Sequence, residues 1–134
     1  MPLALAYDAI QGPDAEVKAA FARYEQALVA NDVGTLDDLF RADPRTVRYG
    51  VTENLYGYDE IKAFRAARSP VALGRTLEKT VITTYGRDVA VASTLHHRPS
   101  AAGRIGRQMQ TWVRFPEGWR VVATHVSLMD VPKA

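Results

Sequence analysis

The chain has 134 residues, 47% of them hydrophobic and 24% charged, with 17 Lys+Arg against 15 Asp+Glu for a net charge of +2. That length predicts one globular domain able to bury about two-thirds of its unfolded surface, and its scattered charge lacks the dense basic tracts that suit a nucleic-acid partner. No cysteine is present, which removes disulfides, thiolate metal sites and cysteine nucleophiles together, and no apolar run approaches the ~18 residues that span a bilayer.

The opening "MPLALAYDAIQGPD" lacks a basic n-region and soon meets Asp8, so it does not read as a signal peptide, and a cytoplasmic protein is expected. Residues 1–13 are expected to form a loosely held arm, with one domain over 14–131. Asp14 reads as an N-cap, with Glu16 in the first turn. Val17, Ala20, Phe21, Tyr24 and Leu28 then recur on one helical face until Asn31-Asp32. Thr35 with Asp38 resembles a capping box for a short helix, "TLDDLFRA", closed by Pro44.

A short strand over 46–51 follows. Thr46, Arg48 and Gly50 share one of its faces; Val47, Tyr49 and Val51 share the other. A third helix over 59–68 ends at Ser69-Pro70. From Arg75 onward the character changes to four long segments with near period-two alternation, separated by turns at Gly86-Arg87-Asp88, 99–103 and Pro116-Glu117-Gly118. Helices first and a meander afterwards mean an α+β fold. The economical arrangement is a cone: a strongly curved antiparallel sheet wrapped around the long N-terminal helix, with a pocket between them.

Several polar residues fall where such a pocket would lie. Tyr24 sits on the apolar face of the first helix, either as a core tyrosine or as a phenol reaching the pocket. Arg48 points into the cone if the Thr46 face is inward, and into solvent if the more apolar Val47 face is inward; the strand alone leaves both open. On the third helix Arg65 and Arg68 share a face with Ile61 and Phe64, as rim residues or as part of an anion site. Gln108, Gln110 and Trp112 share one strand face, and Trp119, Val121, Ala123, His125 and Ser127 alternate on the last strand. With both faces partly apolar, one is expected to line the cone and the other to pack on a second subunit. No Ser-His-Asp arrangement or phosphate loop is found, and His96 and His97 point to opposite faces, so no metal site is expected.

The segments "FARYEQALVANDVGTLDDLF", "TVRYGVTENLYGYDEIKAFRAAR", "TYGRDVAVAS" and "GRQMQTWVRFPEGWRVVATHVSLM" closely resemble the AtzH-like family of the SnoaL-like, nuclear-transport-factor-2-like (cystatin-like) cone-fold superfamily. The resemblance covers about residues 14 to 129 and implies the same cone, in a homodimer or dimer of dimers. It further implies catabolism of small ureido acids: removal of a carboxyl group from an N-carboxylated urea to give urea-1-carboxylate, or a role beside oxalurate breakdown. It assigns the catalytic pair to the tyrosine of "ARYE" and the arginine of "TVRYG", here Tyr24 and Arg48, and it requires no metal or organic cofactor. Arg65, Arg68, Gln110, His125 and Ser127 are the candidate substrate-binding residues, for a small carboxylated substrate. Met109 in "GRQMQTW" and the His96-His97 pair depart from the family pattern. Two other functions compete: an accessory protein of an amidohydrolase pathway, and another cone-fold reaction such as isomerisation or dehydration.

Overall fold

The computed structural model describes residues 12–69 and 74–132. Helix α1 runs Gly12–Ala30, starting before Asp14, the N-cap that the sequence predicts. Pro13 suits a first turn, where a missing N–H costs nothing. Asp14 therefore lies inside that turn and pairs with Lys18 at 2.8 Å instead of capping. Of the expected arm, residues 1–11 lie outside the described residues. Val17, Phe21, Tyr24, Ala27 and Leu28 form the buried face of α1. Asn31 ends it at φ 52°, letting the Asp32 N–H donate to the Ala27 carbonyl at 2.8 Å.

Asp32 also opens α2, Val33–Leu39: its carboxylate accepts from the Thr35 N–H at 3.2 Å and from the Thr35 hydroxyl at 2.7 Å. The cap is Asp32, not Thr35, because so short a connection leaves one residue to serve both helix ends. Strands β1, Val47–Tyr49, and β2, Asn54–Tyr56, precede α3, Tyr58–Ala67. Gly57 joins β2 to α3 at φ 89° and ψ 152°, backbone space that is essentially glycine's alone. A Cβ there would stand 3.3 Å from the Pro44 carbonyl. Gly57→Ala is expected to cost about 1–3 kcal/mol, seen as a lower urea midpoint at unchanged slope.

The four long strands are β3, Thr76–Tyr85; β4, Val89–His97; β5, Arg104–Phe115; and β6, Gly118–Asp130, with a 3₁₀ turn at Pro99–Ala101. They pair as antiparallel hairpins within one curved six-stranded sheet of order β2-β1-β6-β5-β4-β3. The β1–β2 pair is antiparallel too, while β1 joins β6 in parallel register, Arg48 opposite Thr124 and Tyr49 opposite His125. The core lies where Phe21, Tyr24 and Leu28 of α1 meet Leu36, Leu39 and Phe40 together with Ala90, Ala92, Trp112 and Val121 of the sheet.

One irregularity in β6 governs what faces inward. Trp112 pairs with Val121 but Thr111 pairs with Ala123, so Val122 is an extra residue. Before the bulge the buried side carries Trp119 and Val121; after it, Thr124 and Val126. No helix among the described residues is long and apolar enough to cross a membrane.

Candidate functional site

A cavity of about 290 Å³ is lined by Arg48, Glu53, Phe64, Arg68, His96 and Arg98, with Val126 and Leu128 of β6 among its apolar walls. The parallel pairing of β1 with β6 decides which way Arg48 points. Tyr49 follows His125 to the outer side, where their rings lie 5.8 Å apart and the Tyr49 and Tyr56 hydroxyls meet at 2.8 Å. Thr46 and Arg48 accordingly turn inward, and Thr46 is buried, its hydroxyl donating to the Arg41 carbonyl at 2.8 Å. The more apolar strand face is thus the outer one.

Arg48 Nη1 donates to Glu53 Oε1 at 2.6 Å, and its guanidinium lies 5.3 Å from the centre of the Phe64 ring. Burial pushes Glu53 up, but hydrogen bonds from Thr52 and Arg48 outweigh it and hold the carboxyl below its usual range. Arg68 and Arg98 have lowered pKa values, through burial first; the positive charges of Arg65, Arg48 and Arg98 add to this at Arg68, and those of Arg75 and Arg48 at Arg98. Arg68 Nε and Nη2 and Arg98 Nε are buried without hydrogen-bond partners among the described residues. Tyr24 is buried in the core, its ring 6.3 Å from that of Phe40, and does not line the cavity; its phenol is within electrostatic reach of Arg68 and Arg98. Three guanidinium groups thus share the cavity wall with one carboxylate, an arrangement suited to a small anion.

The other candidates separate. Arg68 lines the cavity. Arg65 does not: it is 4% exposed, bound to Asp37 Oδ1 at 2.6 Å and seated over the Phe40 ring. Its place one turn before Arg68 aims it at α2, so its charge is spent on a structural ion pair. Gln110 is buried on the inner sheet face, where its Oε1 accepts from Trp112 Nε1 at 3.1 Å; it does not line the cavity. His125 and Ser127 lie on the outer side, His125 against Tyr49 and Ser127 accepting from Arg107 Nε at 3.1 Å. The Val122 bulge reverses the alternation that would have turned them inward.

Three residues went unselected by the sequence reading. Arg98 follows β4 directly and leans into the cavity. Arg75 is paired with Glu25 and donates to Gln108 Oε1 at 3.0 Å, tying the start of β3 to α1 and β5. His96 is 1% exposed and its ring reaches the cavity, while His97 points outward to Glu78. The row Ala90, Ala92, Thr94, His96 is the buried face of β4, but alternation alone does not say which of the two histidines belongs to it.

Burial, reinforced by the positive charges of Arg75 and Arg98, pushes His96 down to about 4. The unfolded chain takes up this proton near pH 6.5, the folded chain only near pH 4, so the unfolded state binds more protons between those values. Stability is therefore expected to fall with acid across that window, by roughly 2–3 kcal/mol in all. The carboxylate that shares the cavity with His96 is Glu53 from the β1–β2 loop, held below its usual range by its hydrogen bonds from Thr52 and Arg48. Urea titrations from pH 7 to 4.5 would read the loss, and His96→Gln should flatten it.

A larger, more open cleft of about 550 Å³ beside Pro44 and Gly57 has Asp43, Asp59 and Glu60 as its charged groups. Its charge repels anions, so it does not compete with the cationic cavity.

A model of the AtzH-like family matches residues 9–132. The chain belongs to the AtzH-like family. This AtzH-like protein is 63% identical to a protein with unknown function from the DUF3225 family of Pectobacterium atrosepticum; the match covers 87% of this chain and 90% of that one, at TM-score 0.84. It is 46% identical to a cystatin-like fold protein from Burkholderia xenovorans, over 91% and 97% of the two chains at TM-score 0.86. An NTF2-like protein with a cystatin-like fold from Novosphingobium aromaticivorans, 23% identical over 97% of this chain and 90% of its own, shares the fold at TM-score 0.68. No curated protein matches. The AtzH-like chain therefore has the cone fold of the SnoaL-like, NTF2-like superfamily.

Proposed function

We propose that this protein is a cofactor-independent, cytoplasmic decarboxylating hydrolase acting on a small N-carboxylated urea, of the 1,3-dicarboxyurea to urea-1-carboxylate type, or a related ureido acid. The observation that carries this reading is the convergence of Arg48, Arg68 and Arg98 on one cavity, with the buried Tyr24 phenol, which is not part of the cavity lining, within electrostatic reach of Arg68 and Arg98. Arg48 holds the departing N-carboxylate in register. As the C–N bond breaks, its electron pair goes to nitrogen, which takes the Tyr24 proton, and the carboxylate leaves as carbon dioxide. The phenolate left behind is stabilised by Arg68 and Arg98 and regains its proton from water. Met109, Met129 and Tyr56 stay exposed, which supports pairing of two copies across the sheet, as a homodimer or dimer of dimers.

The test is carbon dioxide release from a panel of N-carboxylated ureas and oxalurate by the wild type beside Tyr24→Phe. Release on at least one substrate that Tyr24→Phe lowers at least a hundredfold is expected. No release above background on any of them would favour an accessory role, to be pursued by capture of an amidohydrolase partner.

A further inference from the structure

His96 is the group on the cavity wall for which the scheme above has no use. Its ring is almost fully buried, and neither ring nitrogen has a hydrogen-bond partner among the described residues. A buried imidazole left unpaired at both nitrogens is costly, so the position calls for a partner from the cavity side. The fold makes room for the ring: His96 stands opposite Gly106 in the β4–β5 register, and a Cβ at 106 would overlap the imidazole itself. Any other residue at 106 would displace it.

The chemistry of the surrounding wall indicates what that partner is. Arg48, Arg68 and Arg98 can only donate, and they attract the anionic end of a ligand. Glu53 is already engaged by Arg48 and by the Thr52 N–H and hydroxyl. A neutral imidazole supplies what the guanidiniums lack, an acceptor nitrogen, set beside Arg98 on the same wall. A ligand satisfying both features carries a carboxylate and, within a few bonds of it, an N–H.

We propose that His96 is a specificity-determining residue of this cavity, its ring accepting a hydrogen bond from the ureido N–H of a carbamoyl acid whose carboxylate lies against Arg68 and Arg98. This rests on the cavity being the ureido-acid site of the proposed function, but not on the decarboxylation step. Replacing the ureido N–H by a methylene removes the donor and leaves the ring unpaired again. The penalty for one such unpaired buried group is roughly tenfold to a hundredfold in affinity.

N-carbamoylglycine and succinamate differ only in that exchange and carry the same charge. Calorimetric titration of the wild type with each is expected to show N-carbamoylglycine bound about ten- to a hundredfold more tightly. His96→Phe should bind succinamate as the wild type does and lose the preference. Gly106→Ala, which keeps the imidazole but pushes it aside, should lose it too, and decides the matter if the phenylalanine variant does not fold. The proposal is overturned if the wild type shows no preference or binds neither probe, if the preference survives both substitutions, or if they weaken both probes alike. A preference that depends on His96, in a protein that releases no carbon dioxide, would leave this assignment standing and remove the decarboxylase reading.

Discussion

Replacing Arg48 by alanine is expected to lower carbon dioxide release on the order of 10²–10³-fold, with a smaller loss of stability than Arg65→Ala, because Glu53 Oε2 stays hydrogen-bonded to Thr52. The reasoning turns on what Arg48 touches. Its Nη1 contacts Glu53, and its face lies toward Phe64, so the substitution removes one of three cations from the cavity wall and none of the core side chains. Glu53 Oε2 keeps the Thr52 N–H at 3.1 Å and the Thr52 hydroxyl at 2.7 Å, so only Oε1, on the cavity side, loses its partner. The loss should fall on turnover, in the manner of a group that positions the departing carboxylate. Thermal melts beside steady-state assays would separate the two effects.

Arg65→Ala is expected to do the reverse. The Arg65–Asp37 pair is buried on both sides, with side-chain exposures of 4% and 11%, and the guanidinium also covers the Phe40 ring at 4.6 Å. Removing one partner strands a buried carboxylate, which typically costs about 3–5 kcal/mol. For a domain of this size that lowers the melting temperature by roughly 10 °C or more. The fraction that still folds should keep its turnover per molecule, because Arg65 does not reach the cavity. Urea unfolding of Arg65→Ala against the wild type checks the size of the effect.

Much of the fold was readable because it rests on local repetition. The apolar face of α1 and the alternation of β3 to β6 are periodic signals that survive without knowledge of neighbours. What sequence reading missed depends on partners distant in the chain. The direction of Arg48 is set by parallel pairing with β6, some seventy-five residues on, and nothing in "TVRYG" encodes it. His125 and Ser127, candidate substrate-binding residues, share a side with Trp119 and Val121 by simple alternation, which one inserted residue, Val122, reverses. Arg65 and Arg68 share a helical face, yet only Asp37 on α2 distinguishes them, by pairing with the first and leaving the second to the cavity. His96 had a signal, the glycine opposite it, but that signal is legible only once the β4–β5 register is known. The resemblance to the AtzH-like family named Tyr24 and Arg48; the geometry puts Arg48 in company with Arg68 and Arg98 and Tyr24 in the core against Phe40.

The most direct test of the central claim, that the cationic cavity is where chemistry occurs, sets two arginines against each other. Carbon dioxide release from 1,3-dicarboxyurea should be measured per folded molecule for the wild type, Arg48→Ala and Arg65→Ala. The account expects Arg48→Ala to be folded and nearly inactive, and Arg65→Ala to be less stable but active wherever it is folded. Full activity in Arg48→Ala, or loss of activity in folded Arg65→Ala with Arg48→Ala unaffected, would contradict it and move the site out of this cavity.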